Sequence, residues 1–216
     1  MTRYDRPTQV LAACLCALAG YIDAIGFIHL GGFFVAFMSG NSTRLAVGVA
    51  RQAPSPLVAA GLIGGFLAGV VAGSITGRLA KHQRRAGVLA FVTVSLSLAA
   101  ALGLIHKPLC AIGLMTLAMG AENTVFEEDG EVRIGLTYMT GTLVKVGQRM
   151  ATALTGGDRF AWVPYVLLWA SLVIGAIAGA QAYSRFGLGA VWFGAAATTV
   201  LMISSIQRPQ LPQRPV

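Results

Sequence analysis

The chain has 216 residues, of which 56% are hydrophobic and only 11% are charged, and its formal net charge is +8. A soluble domain carries about 25% charged residues, so the composition excludes an ordinary globular enzyme and predicts an all-α, polytopic membrane protein. The positive charge fits lysines and arginines in cytoplasmic loops better than nucleic-acid binding, because the sequence has no basic face with interleaved aromatic residues.

Six apolar runs are long enough to cross a bilayer, which takes roughly 20 residues per helix. They cover residues 8–30, 57–79, 86–105, 108–126, 160–183 and 187–206. Two weaker runs, at 33–50 and 136–154, carry polar residues and a basic residue in their middle. The tail at 207–216 holds three prolines and is predicted to be a disordered cytoplasmic segment.

Two acidic residues lie inside apolar runs: Asp23 in the run 8–30 and Glu122 in the run 108–126. An ionised carboxylate at the bilayer centre costs on the order of 3 kcal/mol, so such a group must be paired, neutral or close to water. One hypothesis is structural and pairs Asp23 with Arg44 and Glu122 with Lys145. The other is functional: both acids line a pathway, and Asp23 carries a proton or coordinates a cation as the coupling acid.

The first weak run contains the polar row Ser39, Gly40 and Asn41, followed by Arg44 about one turn later. A helix that begins inside the membrane presents free backbone N–H groups and a partial positive charge at its start. Serine and asparagine are good capping residues, and glycine allows a partner to approach the backbone. The row therefore predicts an anion-binding site. The alternative is that these side chains only satisfy a kinked helix.

Glycine recurs every fourth residue in the third run, which places the glycines on one helix face. The predicted packing residues are Gly61, Gly65, Gly69, Gly73 and Gly77, with Gly175 and Gly179 in a matching later helix. Small residues let helix backbones approach closely in lipid. The packed neighbour is either the other half of this chain or a second copy of it.

The two halves of the chain resemble each other. The stretch FMSGNSTRLAVGVA from Phe37 matches YMTGTLVKVGQRMA from Tyr138 without a gap, so that Thr140, Gly141 and Thr142 repeat the polar row and Lys145 faces Arg44. Asp23 falls opposite Glu122, which Asn123 follows, and LAGVVAGS from Leu67 resembles VIGAIAGA from Val173. We therefore predict a duplicated unit with repeats at 1–107 and 108–206.

The distribution of basic residues predicts the orientation. If the runs 33–50 and 136–154 enter the membrane and return to the same side, the cluster from Arg78 to Arg85 lies in the cytoplasm together with both termini. This arrangement has six crossings, three per repeat, so the second repeat is inverted relative to the first. Inverted repeats with interrupted helices are typical of secondary transporters.

Three stretches, GYIDAIGF, FMSGNSTRLAVGVA and TYMTGTLVKVGQRMA, resemble the YoaK-like family of bacterial inner-membrane proteins, a domain of unknown function. The first two are similar to that family's Asp-containing first helix and its T/S-G-N motif, and the third to its T-G-T motif followed by a basic residue. The family often shows a Gln-Asn pair where this chain has Glu122-Asn123. The resemblance implies a multi-pass protein of the bacterial inner membrane and supplies no substrate.

The resulting prediction is a small secondary transporter of an anionic or polar small solute, with proton coupling as an option. Its partners are the lipid bilayer and a small solute or ion, and association with a second copy is left open. The predicted solute or ion site comprises Asp23, Ser39, Gly40, Asn41, Arg44, Glu122, Asn123, Thr140, Gly141, Thr142 and Lys145. We predict no cofactor, metal or catalytic residue. The rival hypothesis is a non-transporting scaffold or regulatory subunit with a glycine-lined interface.

Overall fold

The computed structural model describes residues 4–52, 56–128 and 130–207. Residues 208–216 of the predicted disordered tail lie outside these ranges. The helices are α1 Arg6–His29, α2 Met38–Ala50, α3 Pro56–Leu79, α4 Arg84–Leu104, α5 Pro108–Glu122, α6 Met139–Leu154, α7 Val163–Phe186 and α8 Val191–Ile206. A two-stranded hairpin, which the sequence did not predict, pairs β1 Glu127–Glu128 with β2 Glu131–Val132 between α5 and α6.

Local sequence signals explain several of these boundaries. Asp5 caps α1 by accepting a hydrogen bond from the backbone N–H of Thr8 at 3.3 Å. Pro108 occupies the first turn of α5, where its missing N–H costs no helical hydrogen bond. After α1 the chain reverses at Gly31 and Gly32, whose φ angles of 62° and 108° lie in the region that favours glycine.

Four stretches are long and apolar enough to cross a membrane, in agreement with the predicted all-α, multi-pass class. They are Arg6–His29, Pro56–Leu79, Lys81–Leu104 and Val163–Ile206, among the described residues. The last stretch has 44 residues and contains both α7 and α8, which a short 3₁₀ turn at Gly187–Ala190 separates. The α5 helix, with 15 residues, is apolar but shorter than these.

Helix contacts show that the long helices alternate in direction. Arg85, at the start of α4, donates to Thr8 of α1, so these two helices start at the same end of the molecule. We call this end, marked by Thr8, Arg84 and Arg85, the basic end. At the opposite, far end, Gly103 near the end of α4 lies against Leu188 just before α8. Helices α1, α4 and α7 therefore run away from the basic end, and α3, α5 and α8 run back towards it.

The two short helices begin beside the interior and then follow the outside of the bundle. Val35, just before α2, and Leu136, just before α6, are both fully buried. Beyond these starts α2 packs on α3 and α6 packs on α7. Most other residues of the two short helices are exposed or half-buried, and the buried ones are Asn41, Gly48, Met139 and Thr142.

Helices α1, α4 and α5 supply most of the buried core. Its largest fully buried apolar side chains on these helices are Leu15, Ile22, Ile25, Leu89, Leu96, Met115 and Met119. By contrast, α3 and α7 expose large apolar side chains such as Leu67 and Ile174, as expected for surfaces that face lipid.

Candidate functional site

Asp23 lies in α1 two turns before its end and ties that helix to the segment that leads into α2. Its Oδ1 accepts hydrogen bonds from the backbone N–H groups of Val35 at 2.8 Å and Ala36 at 2.7 Å. The carboxylate therefore satisfies donors that have no partner in α2 itself. Arg44, the predicted structural partner, makes no ion pair with Asp23 in the described part of the chain.

Asp23 also lines a cavity of about 460 Å³ between α1, α7 and the starts of the two short helices. Phe34, Ala36 and Phe37 contribute from before α2, and Thr137 and Met139 from the start of α6. Asp23 and Thr137 are the two polar side chains in a lining that is otherwise alanine, glycine, aromatic and aliphatic. The starts of both short helices thus meet at one cavity, and each half contributes one polar group.

The second half repeats the Asp23 tie with Asn123. Thr137 donates to Asn123 Oδ1 at 3.1 Å, and Asn123 Nδ2 donates to the Met119 carbonyl within α5 at 2.9 Å. Asn123 therefore joins the end of α5 to the segment before α6, as Asp23 joins α1 to the segment before α2. The sequence comparison that placed Glu122 opposite Asp23 is wrong by one residue.

The glycine contacts give the same correspondence. A Cβ on four of the predicted packing glycines would overlap with backbone of a helix from the other half: Gly175 with Ala17, Gly179 with Tyr21, Gly69 with Leu117 and Gly73 with Ala121. The contacted residues are 17 and 21 in α1 and 117 and 121 in α5. Equivalent positions of the two helices are therefore 100 residues apart in the sequence. By this correspondence Asp23 matches Asn123, and Glu122 matches Ile22, which is also fully buried.

The remaining predicted glycines differ in their surroundings. Gly77 lies against the Arg84 side chain, and Gly65 makes ordinary contact with Thr116. Gly61 has open space where a Cβ would point, among the described residues, so its predicted packing role has no counterpart there. The pattern also missed Gly20 and Gly120, which face the carbonyl oxygens of Leu172 and Phe66, because neither belongs to a run of glycines at every fourth residue.

Glu122 is fully buried, and neither carboxylate oxygen has a hydrogen-bond partner among the described residues. Lys145, its predicted partner, is exposed on α6, with Nζ 5.8 Å from the centroid of the Tyr165 ring. Arg44 is likewise exposed on α2 and stacks over Phe33, with Cζ 5.0 Å from the ring centroid. The two basic residues therefore lie outside the cavity lining, and the predicted pairs do not form.

The polar rows do not cap the short helices as predicted. The N-cap residues are Phe37 for α2 and Tyr138 for α6. Asn41 instead reaches back to Phe34, accepting from its N–H at 3.0 Å and donating to its carbonyl at 2.6 Å. Thr142 donates to the Tyr138 carbonyl within its own helix.

The other members of the polar rows, Ser39, Thr140 and Gly141, lie at exposed positions. Gly40 faces the rings of Phe34 and Phe37, so aromatic side chains fill the space predicted for a ligand. Of the two rows, Asn41 alone bonds the segment before its short helix, and the cavity is lined by the residues just before both helices together with Met139.

Sequence reasoning missed an ionic cluster at the basic end. Arg84 Nη2 lies 2.9 Å from Glu127 Oε2, which also accepts from the Ser74 hydroxyl at 2.6 Å. The exposed fractions of the Arg84 and Glu127 side chains are 16% and 6%. Because 43 residues separate the two partners, no local pattern could have revealed the pair. No group of three or more His, Cys, Asp or Glu suited to a metal occurs within the described ranges.

Comparison with known proteins places this architecture in a family without an assigned function. The family described as "Protein of unknown function (DUF1275)" matches residues 11–204. "UPF0700 transmembrane protein RA0705" of Rhizobium meliloti is 32% identical over 204 residues, covering 93% of this chain and 87% of that protein. "UPF0700 transmembrane protein YoaK" of Bacillus subtilis is 30% identical over 150 residues, covering 64% and 65%. No solved structure matches the chain.

Proposed function

The chain belongs to the DUF1275 family of transmembrane proteins, and we propose that it is a small secondary transporter whose solute site is the Asp23 cavity. The observation that carries the proposal is the cavity itself, which places an acidic side chain between the starts of two short helices from different halves. Sites at the interface of two halves, beside interrupted helices, are typical of secondary transporters.

We further infer that the two halves are inverted repeats. The direction of the helices supports this, because α1 runs towards the far end and its counterpart α5 runs towards the basic end. Each short helix would then enter from and return to its own side of the membrane. Arg78, Lys81, Arg84 and Arg85 lie at one end of the bundle, which favours that end, and with it both termini, as cytoplasmic.

The lining suggests the chemical class of the solute. Asp23 supplies an acidic group that accepts hydrogen bonds, whereas Arg44 and Lys145 do not line the cavity. Phe27, Phe34 and Phe37 add aromatic faces, which attract organic cations. We therefore propose a small polar solute with an amine or hydroxyl donor on a partly apolar body, in place of the anion that the sequence suggested. The volume of about 460 Å³ is within the range of small-molecule sites.

The scaffold hypothesis draws support from a different observation. Twelve of the fourteen residues that line the cavity are apolar, alanine or glycine, so a lipid chain would also fit there. A scaffold would bind no polar solute and would move none.

The test is a thermal-stabilisation screen of the purified protein followed by uptake into proteoliposomes. The panel contains small amines, amino alcohols, polyols and carboxylates of matched size. We expect amines or amino alcohols to raise the melting temperature and to be taken up, since ligand binding to the folded state stabilises it. Asp23→Asn should abolish both effects, and Asp158→Asn, in an exposed loop, is the matched control.

Two results would reject parts of this proposal. If carboxylates alone stabilised the protein, the solute would be anionic, as the sequence suggested, and Asp23 would not be the residue that binds it. If no solute of the panel stabilised the protein or entered the vesicles, the scaffold would be the better account.

A further inference from the structure

Glu122 is the buried acidic group that the proposed solute site leaves unused. It is the last residue of α5, its exposed fraction is 0%, and both Oε atoms are without a hydrogen-bond partner in the described chain. An ionised carboxylate taken out of water without a partner costs several kcal/mol. A carboxyl group in these surroundings is therefore held as the neutral acid, with a bound proton.

The groups around Glu122 give no compensating charge. Helix α5 packs on α1, α3 and α4. From α1 the Cys16 thiol lies within electrostatic range of Glu122. The ionisable residues of α3 and α4 are Arg78, Arg84 and Arg85 at the basic end, towards which α5 also runs. Arg84 is paired with Glu127, and none of the three forms an ion pair with Glu122 in the described part of the chain.

The two other polar ionisable groups on the nearby part of α1 are engaged elsewhere. The Tyr21 hydroxyl donates to the Ala190 carbonyl at 2.9 Å. Asp23 accepts from the backbone before α2. Neither bond involves Glu122, so its carboxyl depends on a proton for neutrality.

Packing alone does not require a polar group at this position. The matching residue of the first half is Ile22, which is buried to the same degree in the same architecture. An apolar residue thus fills the equivalent place. The carboxyl at position 122 introduces a desolvation cost that the fold itself could avoid, which points to a chemical role.

Contacts of residues 136 and 137 link the surroundings of Glu122 with the solute cavity. The Cys16 thiol, which interacts electrostatically with Glu122, donates to the Leu136 carbonyl at 3.3 Å. The next residue, Thr137, lines the cavity and donates to Asn123, the neighbour of Glu122 in the chain. Residues 136–137 therefore lie between the cavity lining and the residues that contact Glu122.

We propose that Glu122 is a proton-binding site of this protein, which exchanges its proton by way of the Asp23 cavity. The two acids then have different roles: Asp23 contacts the solute, and Glu122 binds the proton. Coupling of this proton to solute movement rests on the proposed transport function, but proton binding itself does not.

Dicyclohexylcarbodiimide tests this directly, because it reacts with protonated carboxyl groups in apolar surroundings. The acid transfers its proton to a carbodiimide nitrogen, the carboxylate oxygen adds to the central carbon, and the adduct rearranges to a stable N-acylurea without losing any atom. The experiment labels the wild-type protein in lipid vesicles across a pH series and locates the adduct by peptide mass spectrometry. No variant has to fold for this measurement.

We expect labelling at Glu122 that falls about tenfold per pH unit above its midpoint, as the protonated fraction of a titrating acid does. Glu127, paired with Arg84, is the internal control and should remain unlabelled. Glu122→Gln should fold and lose the adduct, whereas Asp23→Asn should keep it. Absence of an adduct, or labelling at a rate independent of pH, would show a residue that does not exchange its proton and would overturn the proposal.

The same vesicles separate this inference from the transport proposal. Labelling of Glu122 without uptake of any solute would support the proton site and reject the transport proposal. Uptake without labelling at Glu122 would support transport and reject the proton site. If both occur, Glu122→Gln should transport solute with a weaker dependence on pH than the wild type.

Discussion

The two halves of the molecule share a packing plan and differ in where they place charge. In the first half Asp23 binds the backbone before α2, and in the second half the uncharged Asn123 binds Thr137 before α6. The acid of the second half stands one residue earlier, at Glu122, where the first half has Ile22. The comparison teaches that the tie between a long helix and its short helix is the shared structural element. The position of the acidic residue, by contrast, differs between the two halves.

The two ends of the bundle differ in the same way. At the basic end Arg84, Glu127 and Ser74 form an ionic cluster. At the far end a hydrogen bond of 2.9 Å joins His29 Nδ1 of α1 and the Tyr183 hydroxyl of α7. The bundle is thus closed by an ion pair at one end and by a histidine–tyrosine hydrogen bond at the other.

The strongest way to test the shared packing plan is to enlarge its glycines. Gly175→Leu and Gly69→Leu each place a side chain against backbone of the facing helix, so the two helices must separate and no monodisperse protein is expected in detergent. Gly61→Leu, which points into open space, is the control and should leave the melting temperature unchanged. If only one of the two leucine variants were destabilised, the two glycine interfaces would not be equivalent.

The next largest effect should distinguish the two ties. Asp23→Ala removes two charge-assisted hydrogen bonds and leaves the N–H groups of Val35 and Ala36 unpaired, so we expect a loss of about 4 kcal/mol in unfolding free energy. Asn123→Ala removes one neutral hydrogen bond to Thr137 and should cost about 1 kcal/mol. Detergent-based thermal unfolding of both variants measures the difference. Equal losses would show that charge adds nothing to the first tie.

The contrast between the ends predicts a smaller loss at the basic end. Glu127→Ala leaves Arg84 without its partner in a mostly buried position, which should cost about 3 kcal/mol. Glu131→Ala removes a partner of Arg133 at the exposed hairpin and serves as the control, with no measurable change expected. High salt should leave the stability of the wild type unchanged, because the Arg84–Glu127 pair is screened from solvent. A large salt effect on the wild type would place that pair in water.

Sequence reasoning predicted the long helices well, because apolar runs of about 20 residues are a direct consequence of bilayer thickness. The predicted run 57–79 is observed as α3 at Pro56–Leu79, and the weak run 136–154 contains α6 at Met139–Leu154. The glycines of α3 and α7 were also visible, since a repeat of four residues identifies one helix face.

The fine placement of the polar groups could not be predicted in the same way. Matching Asp23 to Glu122 followed from aligning LAGYIDAIGF with LAMGAENTVF. The contacts differ from that alignment by one residue, which similarity this weak does not determine. Arg44 was expected inside the protein because it follows the polar row, but its helix presents that face outward. The Arg84–Glu127 pair joins distant parts of the chain and leaves no local signal.

The smallest expected effect separates the two polar rows at the starts of the short helices. Asn41 is fully buried and bonds both the N–H and the carbonyl of Phe34, so Asn41→Ala should leave two backbone groups unpaired and cost about 2 kcal/mol. Its counterpart Thr142 bonds only a carbonyl of its own helix, and Thr142→Val keeps the shape of the side chain, so a change below about 0.5 kcal/mol is expected. Hydrogen exchange at residues 33–37 measures the first effect locally, because the freed segment should exchange faster in Asn41→Ala than in Thr142→Val. Unchanged exchange in Asn41→Ala would mean that Asp23 alone holds this segment, and the asymmetry between the halves would then reside in that one carboxylate.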